Sequence, residues 1–307
     1  MSMGPIRIGN APVSYGVFGD QAGGEGASPE ELLETIAAAG YEGSELGPPG
    51  FFGTPEQLAA SFARVGLRAI GAYVPLHLGV PERTRFAADL ASMRRTCEEL
   101  VACGGDGLLV CADEGSDLLR RHAARTRGSV DLGLDDAGWS LLAERLEEAL
   151  GIAGEFGLTA VFHPHLTTFV ESPEEIARLL ETAPVTLAFD TGHIALGGGD
   201  ICALARRWAG RIGHVHVKDV DSARFATARQ KNEGAADFDD WWGDISVPLG
   251  AGDLALEGFL AALAEASYSG WLVVEQDRDA ARQGQYGQIA AEQKANRDWL
   301  VTKLNAL

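Results

Sequence analysis

The sequence predicts an α/β protein folded as a single-domain (β/α)8 TIM barrel over residues 1–307, and three observations carry that expectation. Eight short apolar runs alternate with helix-length segments along the chain. The runs are apolar without interruption, as expected of parallel strands buried on both faces. Histidines and carboxylates gather at the C-terminal ends of the runs, where a barrel brings its loops to one mouth. An open doubly wound sheet is the structural alternative, but no GxGxxG follows the first run.

Residues 6–11 form the first run, ending at Pro12, and a Gly-rich loop follows to residue 27. Ser28-Pro29-Glu30-Glu31 then starts a helix: serine caps free N–H groups, proline suits the first turn and Glu31 completes a capping box. Leu32, Leu33, Ile36 and Ala37 give its apolar stripe, and Gly40 ends it. The next strand, YEGSELG, carries Glu45 at its end. Thr54-Pro55-Glu56-Gln57 caps a second helix with Leu58, Phe62 and Val65 on its stripe, stopped by Gly66. The strand at residues 67–74 leads towards His77, a long helix spans about 83–103, and GLLVCADE presents Asp113 and Glu114.

After a polar loop, a helix over about 135–156 places Trp139, Leu142, Leu146 and Ile152 on one face, before the strand LTAVF and the phrase HPH. Ser172-Pro173-Glu174-Glu175 repeats the capping box, a short helix ends near Glu181, and VTLAF runs into DTGH, where Asp190 ends the strand and His193 is expected in the loop. A helix around 201–209 precedes RIGHVHVKD. Residues 222–251 are long, polar and aromatic (Phe225, Phe238, Trp241, Trp242) with no clear period, which predicts an ordered lid-like insertion. A helix over 256–266, the strand GWLVVEQD and an amphipathic helix over 289–304 complete the chain. The triple glycine at 197–199 lacks a Walker lysine, so a phosphate loop is not expected.

The net charge of −19, with no cluster of Lys and Arg, repels polyanions and argues against a nucleic-acid or acidic-membrane partner. No apolar run approaches the ~18 residues of a membrane span. The N-terminus lacks a basic segment followed by an apolar one, so the expected location is cytoplasmic. Cys97, Cys103, Cys111 and Cys202 have no CxxC spacing and are expected as buried, reduced thiols. A homo-oligomer is left open.

Five of the seven histidines fall in FHPH, DTGH and HVHVKD, each closing a strand. Read in order, the strand ends supply Glu45, His77, Asp113, His163 with His165, Asp190 with His193, His216 with Lys218, and Glu275 with Asp277. A ring of carboxylates and imidazoles without matching arginines repels itself unless a divalent cation sits among them. The mixed nitrogen and oxygen set suits Mn²⁺, Co²⁺, Fe²⁺ or Zn²⁺, with Mn²⁺ or Co²⁺ favoured, whereas Mg²⁺ prefers more oxygen. Alternation puts His214, His216 and Lys218 on one face, Glu275 and Asp277 on one face, and His163 and His165 on one face. His216, nearer the rim than His214, is the expected ligand with Asp190 and Glu275, and His163 the fourth. Singly, a strand-end His or Asp is a cap or loop hydrogen-bonder, and His77, Asp113 and His122 keep that reading.

The chain resembles the xylose-isomerase-like TIM-barrel superfamily of sugar isomerases and epimerases. The resemblance implies one divalent metal at the barrel mouth, held by Asp190 of DTGH, His216 of HVHVKD and Glu275 of GWLVVEQD. Where many members carry a glutamate after the fifth strand, HPH…ESPEE places His163, with His165 on the following histidine. HPH, DTGH, HVHVKD, PLGAG and GWLVVEQD together look like the inosose dehydratase branch. The implied activity is metal-dependent removal of water from a keto-polyol such as 2-keto-myo-inositol. The metal would bind the ketone and a neighbouring hydroxyl, and His165, His193, Lys218 and Glu45 are the candidates for acid, base and orienting roles. A ketose 3-epimerase or isomerase is the alternative; it commonly uses two metal-bound glutamates, and His163 leaves that pair incomplete. An endonuclease relative conflicts with the acidic charge, and a non-catalytic carbohydrate-binding barrel predicts no metal-dependent reaction.

Overall fold

The computed structural model describes residues 6–17, 27–104, 107–125, 132–278 and 286–307. Eight parallel strands close into a barrel: β1 (Ile6–Asn10), β2 (Gly43–Leu46), β3 (Arg68–Leu76), β4 (Leu108–Asp113), β5 (Thr159–Phe162), β6 (Thr186–Asp190), β7 (Ile212–Val217) and β8 (Gly270–Val274). They follow one another around the ring in chain order, and β1 pairs with both β2 and β8 to close it. The barrel expected from the alternation is therefore borne out.

Helices α1 (Pro29–Ala38), α2 (Pro55–Val65), α3 (Arg83–Ala102), α4 (Asp136–Glu155), α5 (Pro173–Thr182), α6 (Thr191–Leu196) and α7 (Ile201–Arg207) fill the connections, α8 (Ser222–Asn232) and α9 (Leu256–Glu265) follow β7, and α10 (Tyr286–Leu304) follows β8. The predicted starts have a side-chain cause. Ser28, Thr54 and Ser172 each accept the N–H three residues on, and at Thr54 and Ser172 the reciprocal bond completes the capping box. The Gly-rich loop predicted after the first strand lies largely outside the described residues. Cys97 and Cys111 are buried, Cys103 and Cys202 half-buried, and all four are free thiols.

Inside the ring the lower layers are apolar: Val110, Val161 and Ala188 pack together, as do Ile70, Val273 and Ala11. Burying the valines and Ile70 stabilises by roughly 1.5–3 kcal/mol each, and the packed layer is a solid floor rather than a channel. The register shifts between Ser44 and Glu45 of β2, where Ile70 of β3 is the extra residue. That bulge resets the alternation of β3, so Gly71, Tyr73 and Pro75 follow it on the inner face. A Cβ on Gly71 would lie 3.6 Å from the Glu45 carboxylate, which locates the inner face.

Three expectations are corrected. Residues 222–232 are not aperiodic: they form α8 (Ser222–Asn232), capped by Asp221 on the Arg224 N–H. Only Phe225 of that helix is buried, so the sequence carries no apolar stripe to reveal it. His193 lies not in a loop but on α6, whose start is capped by Asp190. The last helix, α10 (Tyr286–Leu304), is not amphipathic in the expected sense, because its buried stripe is Ile289, Gln293, Asn296 and Leu300. The two amides bond Asn10, Gln276 and the Leu249 N–H, so polar groups dock this helix to the barrel.

The triple glycine has a steric reason. A Cβ on Gly197 would meet the Glu171 carbonyl at 2.2 Å, and Gly198 has φ +107. The insertion after β7 is closed at its base by a ribbon pairing Asp219–Val220 with Ser246–Val247. Asp219 gathers the PLGAG run: its Oδ2 accepts the N–H groups of Gly250 and Gly252, and its Oδ1 those of Val220 and Leu254. Among the described residues, no helix is long and apolar enough to cross a membrane.

Candidate metal centre

Above the apolar floor the inner face turns polar, because β5 to β8 each present a histidine or carboxylate at their C-terminal ends. His163, Asp190, His216 and Glu275 each place one nitrogen or oxygen within 4.8 Å of those of the others. They come from four consecutive staves of the barrel, β5, β6, β7 and β8. His163, Asp190 and His216 are almost fully buried.

The hydrogen bonds around these residues leave particular atoms free. Asp190 Oδ1 caps α6, accepting the Gly192 and His193 N–H groups at 2.7 and 2.9 Å, so Oδ2 alone faces the centre. Asp190 Oδ2 lies 3.6 Å from His163 Nε2 and 3.7 Å from His216 Nδ1. His216 Nδ1 and Glu275 Oε2 are 2.9 Å apart yet misaligned, and neither has a hydrogen-bond partner. Asp190 Oδ2 is likewise buried and accepts no hydrogen bond, with the Lys218 ammonium 3.3 Å away. Buried polar atoms are rarely left unpaired, and three of them facing one point fit a cation. Charge agrees: Asp190, Glu275 and Asp277 face one ammonium, that of Lys218, and Glu45 adds a fourth carboxylate on His216, so two further positive charges bring the cluster near balance.

Behind His216 the structure places Glu45, one of the acid–base candidates. Its Oε1 accepts from Nε2 of both His214 and His216 at 2.8 Å, and the carboxylate is almost fully buried. A carboxylate accepts only, so Nε2 of His216 is protonated and Nδ1 is the nitrogen turned to the centre. Burial pushes the Glu45 carboxyl up, but the two imidazoles outweigh it and hold it well below the usual range. Burial likewise opposes charge on His216, yet Glu275 and Glu45 raise it well above an ordinary histidine. His214, deeper in the barrel, is depressed by burial and serves as the second donor to Glu45.

The other three candidates group on the opposite side of the centre. Lys218 Nζ lies 2.6 Å from Asp277 Oδ2, 3.2 Å from His193 Nε2, 3.3 Å from Asp190 Oδ2 and 3.4 Å from Glu275 Oε2. Burial disfavours its charge, but Asp190, Asp277 and Glu275 together raise its pKa above the ordinary lysine value. His165 Nδ1 donates to the Leu166 carbonyl at 2.7 Å, which leaves Nε2 as the accepting atom. Burial, then the neighbouring His163 and Lys218, hold His165 down to about 3, so it is neutral at physiological pH. The His165 and His193 rings lie 3.8 Å apart.

Trp242 from the insertion stacks on His193 at 5.2 Å and on Phe238 at 4.8 Å. Its Nε1–H donates to Asp277 Oδ2, the oxygen that Lys218 also holds. Nothing in the sequence singled out Trp242 among the aromatics of the insertion, because a three-dimensional contact with Asp277 has no local signal. Arg120 reaches the insertion from the loop after β4, donating from Nε to Asp237 at 2.9 Å and also to Asp239.

The residues read as ordinary are satisfied elsewhere. Asp113 accepts four backbone N–H groups, from Leu78, Gly79, Gly115 and Phe169. His77 pairs with Asp89 at 3.0 Å, and His122 does not line the central cavity. That cavity, of about 470 Å³, opens over the centre and is lined by His163, His165, His193, His216, Lys218 and Glu275 among others.

Comparison with known proteins agrees with this architecture. An inosose dehydratase of Geobacillus kaustophilus is 33% identical over 286 residues, covering 91% of this chain and 90% of the relative. Among solved structures, L-ribulose 3-epimerase superposes with a TM-score of 0.70 at 17% identity, covering 98% of this chain and 95% of the other. The IOLI protein with a binding zinc atom superposes with a TM-score of 0.68 at 15% identity, covering 95% and 98%. At such identities the two structures speak for the fold alone. A family model described as xylose isomerase-like TIM barrel matches residues 33–302, and the protein therefore belongs to the xylose isomerase-like TIM-barrel family.

Proposed function

We infer that the protein is a divalent-metal-dependent carbon–oxygen lyase that removes water from a keto-polyol such as 2-keto-myo-inositol. The observation that carries this reading is the identity with an inosose dehydratase over nine-tenths of both chains. The convergence of His163, Asp190, His216 and Glu275 supports a metal held by those four. Their two nitrogens and two carboxylates suit Mn²⁺ or Co²⁺, with Zn²⁺ and Fe²⁺ compatible. When bound, the ion would polarise the ketone oxygen and so acidify the neighbouring C–H.

One residue of the chain carries the proton and the others hold charge and orientation. His165, neutral and with Nε2 free, takes the α-proton. The same Nε2–H then passes to the departing β-hydroxyl, so the C–O bond breaks and water leaves. Lys218, fixed by Asp277, holds a positive charge beside substrate oxygens, and His193 orients Lys218. Glu45 positions His216 rather than moving a proton. The insertion at 222–251 walls the mouth through Trp242 and limits the entry of water to the reacting carbons.

The test is direct. Metal-loaded protein with 2-keto-myo-inositol should develop the ultraviolet absorbance of a conjugated diketone, with one product seen by NMR. Recovered substrate that has picked up solvent deuterium or inverted a centre, without that absorbance, would instead identify the epimerase or isomerase alternative.

A further inference from the structure

The four residues of the candidate centre occupy one arc of the ring, β5 to β8. A substrate held there by a ketone and one hydroxyl must extend across the mouth towards the other arc, β1 to β4. Two of the polar side chains on that arc stand together over the cavity. Tyr73 is 40% exposed although Ala72 and Val74 beside it are 1% and 2% exposed. It faces the cavity, with its ring edge-on to His163 at 6.2 Å. Glu114 follows β4, carries the ladder on by donating its N–H to the Leu76 carbonyl, and lines the same cavity.

The two side chains meet: the Tyr73 hydroxyl donates to Glu114 Oε1 at 3.4 Å, a long bond that a better donor can replace. Among the described residues no other side chain bonds the Glu114 carboxylate. Burial pushes the Glu114 carboxyl up, with Arg120 acting against it, so this is a carboxylate short of donors. Neither residue belongs to the converging set.

We propose that Tyr73 and Glu114 form the specificity-determining face of the site, binding the hydroxyls of the substrate that lie farthest from the ketone. The chemistry is that of a vicinal diol: Glu114 accepts from two adjacent hydroxyls, and Tyr73 donates to one of them. The cavity is large enough for a six-membered polyol to reach from one arc to the other. The pair therefore selects a fully hydroxylated ring over a keto compound that lacks those distal hydroxyls. This assignment rests on the keto-polyol reading above and deepens it.

The test compares wild type, Glu114→Gln and Tyr73→Phe on 2-keto-myo-inositol and on a deoxy analogue lacking both of the adjacent hydroxyls farthest from the ketone. Both substitutions keep shape, and metal content reports that the centre is intact. Losing a hydrogen bond to a charged group predicts a KM for the parent ketone raised about ten- to hundredfold in Glu114→Gln, with kcat changed far less. The deoxy analogue should bind wild type and Glu114→Gln nearly alike. An unchanged KM in both variants, or an equal loss for the analogue, overturns the proposal. Calorimetric binding separates it from the lyase reading. Wild type that binds the parent ketone, loses affinity on substitution and releases no water refutes the lyase and leaves the pair standing. Turnover with no change in either variant does the reverse, and wild type that neither binds nor turns over the ketone refutes both.

Discussion

Replacing Glu45 with glutamine distinguishes a positioning carboxylate from a proton-transfer group. In the wild type its Oε1 accepts from both His214 and His216 at 2.8 Å. Glutamine keeps the volume and one accepting oxygen, so neither imidazole N–H need be stranded. What disappears is the negative charge behind His216, and charge-assisted hydrogen bonds are about twice as strong as neutral ones. Only one of the two imidazoles turns its other nitrogen to the centre, so only one of the weakened bonds reaches the metal. Substitutions behind a ligand of this kind cost roughly 10- to 100-fold in metal affinity, about 1.4–2.7 kcal/mol. Competition for Mn²⁺ with a chromophoric chelator should show that loss, and saturating metal should restore kcat to within about threefold of wild type. Unchanged metal affinity together with a kcat lower by roughly 10²- to 10⁴-fold would make Glu45 the acid or base and refute the positioning argument.

Metal uptake should release protons. Glu275 and Glu45 raise His216 well above an ordinary histidine, so below that raised pKa the ion must displace a proton. Affinity should climb about tenfold per pH unit until the raised value is reached, and calorimetry in buffers of different ionisation enthalpy should count about one proton at pH 7. Asp113→Asn should destabilise the fold by about 2–4 kcal/mol in urea titrations, because an amide nitrogen then faces two of the four backbone N–H groups that the carboxylate serves; a loss under about 0.5 kcal/mol would contradict the count. Trp242→Phe keeps the ring between Phe238 and His193 but removes the N–H on Asp277. It should lower kcat by about tenfold with metal content unchanged, and Trp242→Ala should lower it further; equal activity in Trp242→Phe and wild type would show that the donor is idle.

The barrel was legible because its strands are buried on both faces and therefore read as unbroken apolar runs, and because Ser28, Thr54 and Ser172 mark helix starts chemically. The convergence of His163, Asp190, His216 and Glu275 was legible for a related reason. On β5, β7 and β8 the inner face can be counted outward from Val161, His214 and Val273 without a break, so each strand end points where alternation says it should. The helix at Ser222–Asn232 was not legible, since a single buried phenylalanine makes no stripe. Nor was the role of Glu45: sequence places it at a strand end, while its partners His214 and His216 lie about 170 residues away.

The second arc was hidden by one residue. Counting alternately from the buried, inward Ile70 puts Tyr73 on the helix side of β3, where a tyrosine reads as core. The register shift opposite Ser44 and Glu45 makes Ile70 the extra residue, and everything after it on β3 changes face. The same shift sets Glu45 beside Gly71, whose missing side chain leaves room for the carboxylate to reach the two imidazoles. One bulge thus supplies both arcs: it seats the acceptor behind His216 and turns Tyr73 towards the substrate's far side. A residue inserted or deleted at Ile70 should therefore disturb metal affinity and substrate choice together, two properties that the strand ends read separately would leave unconnected.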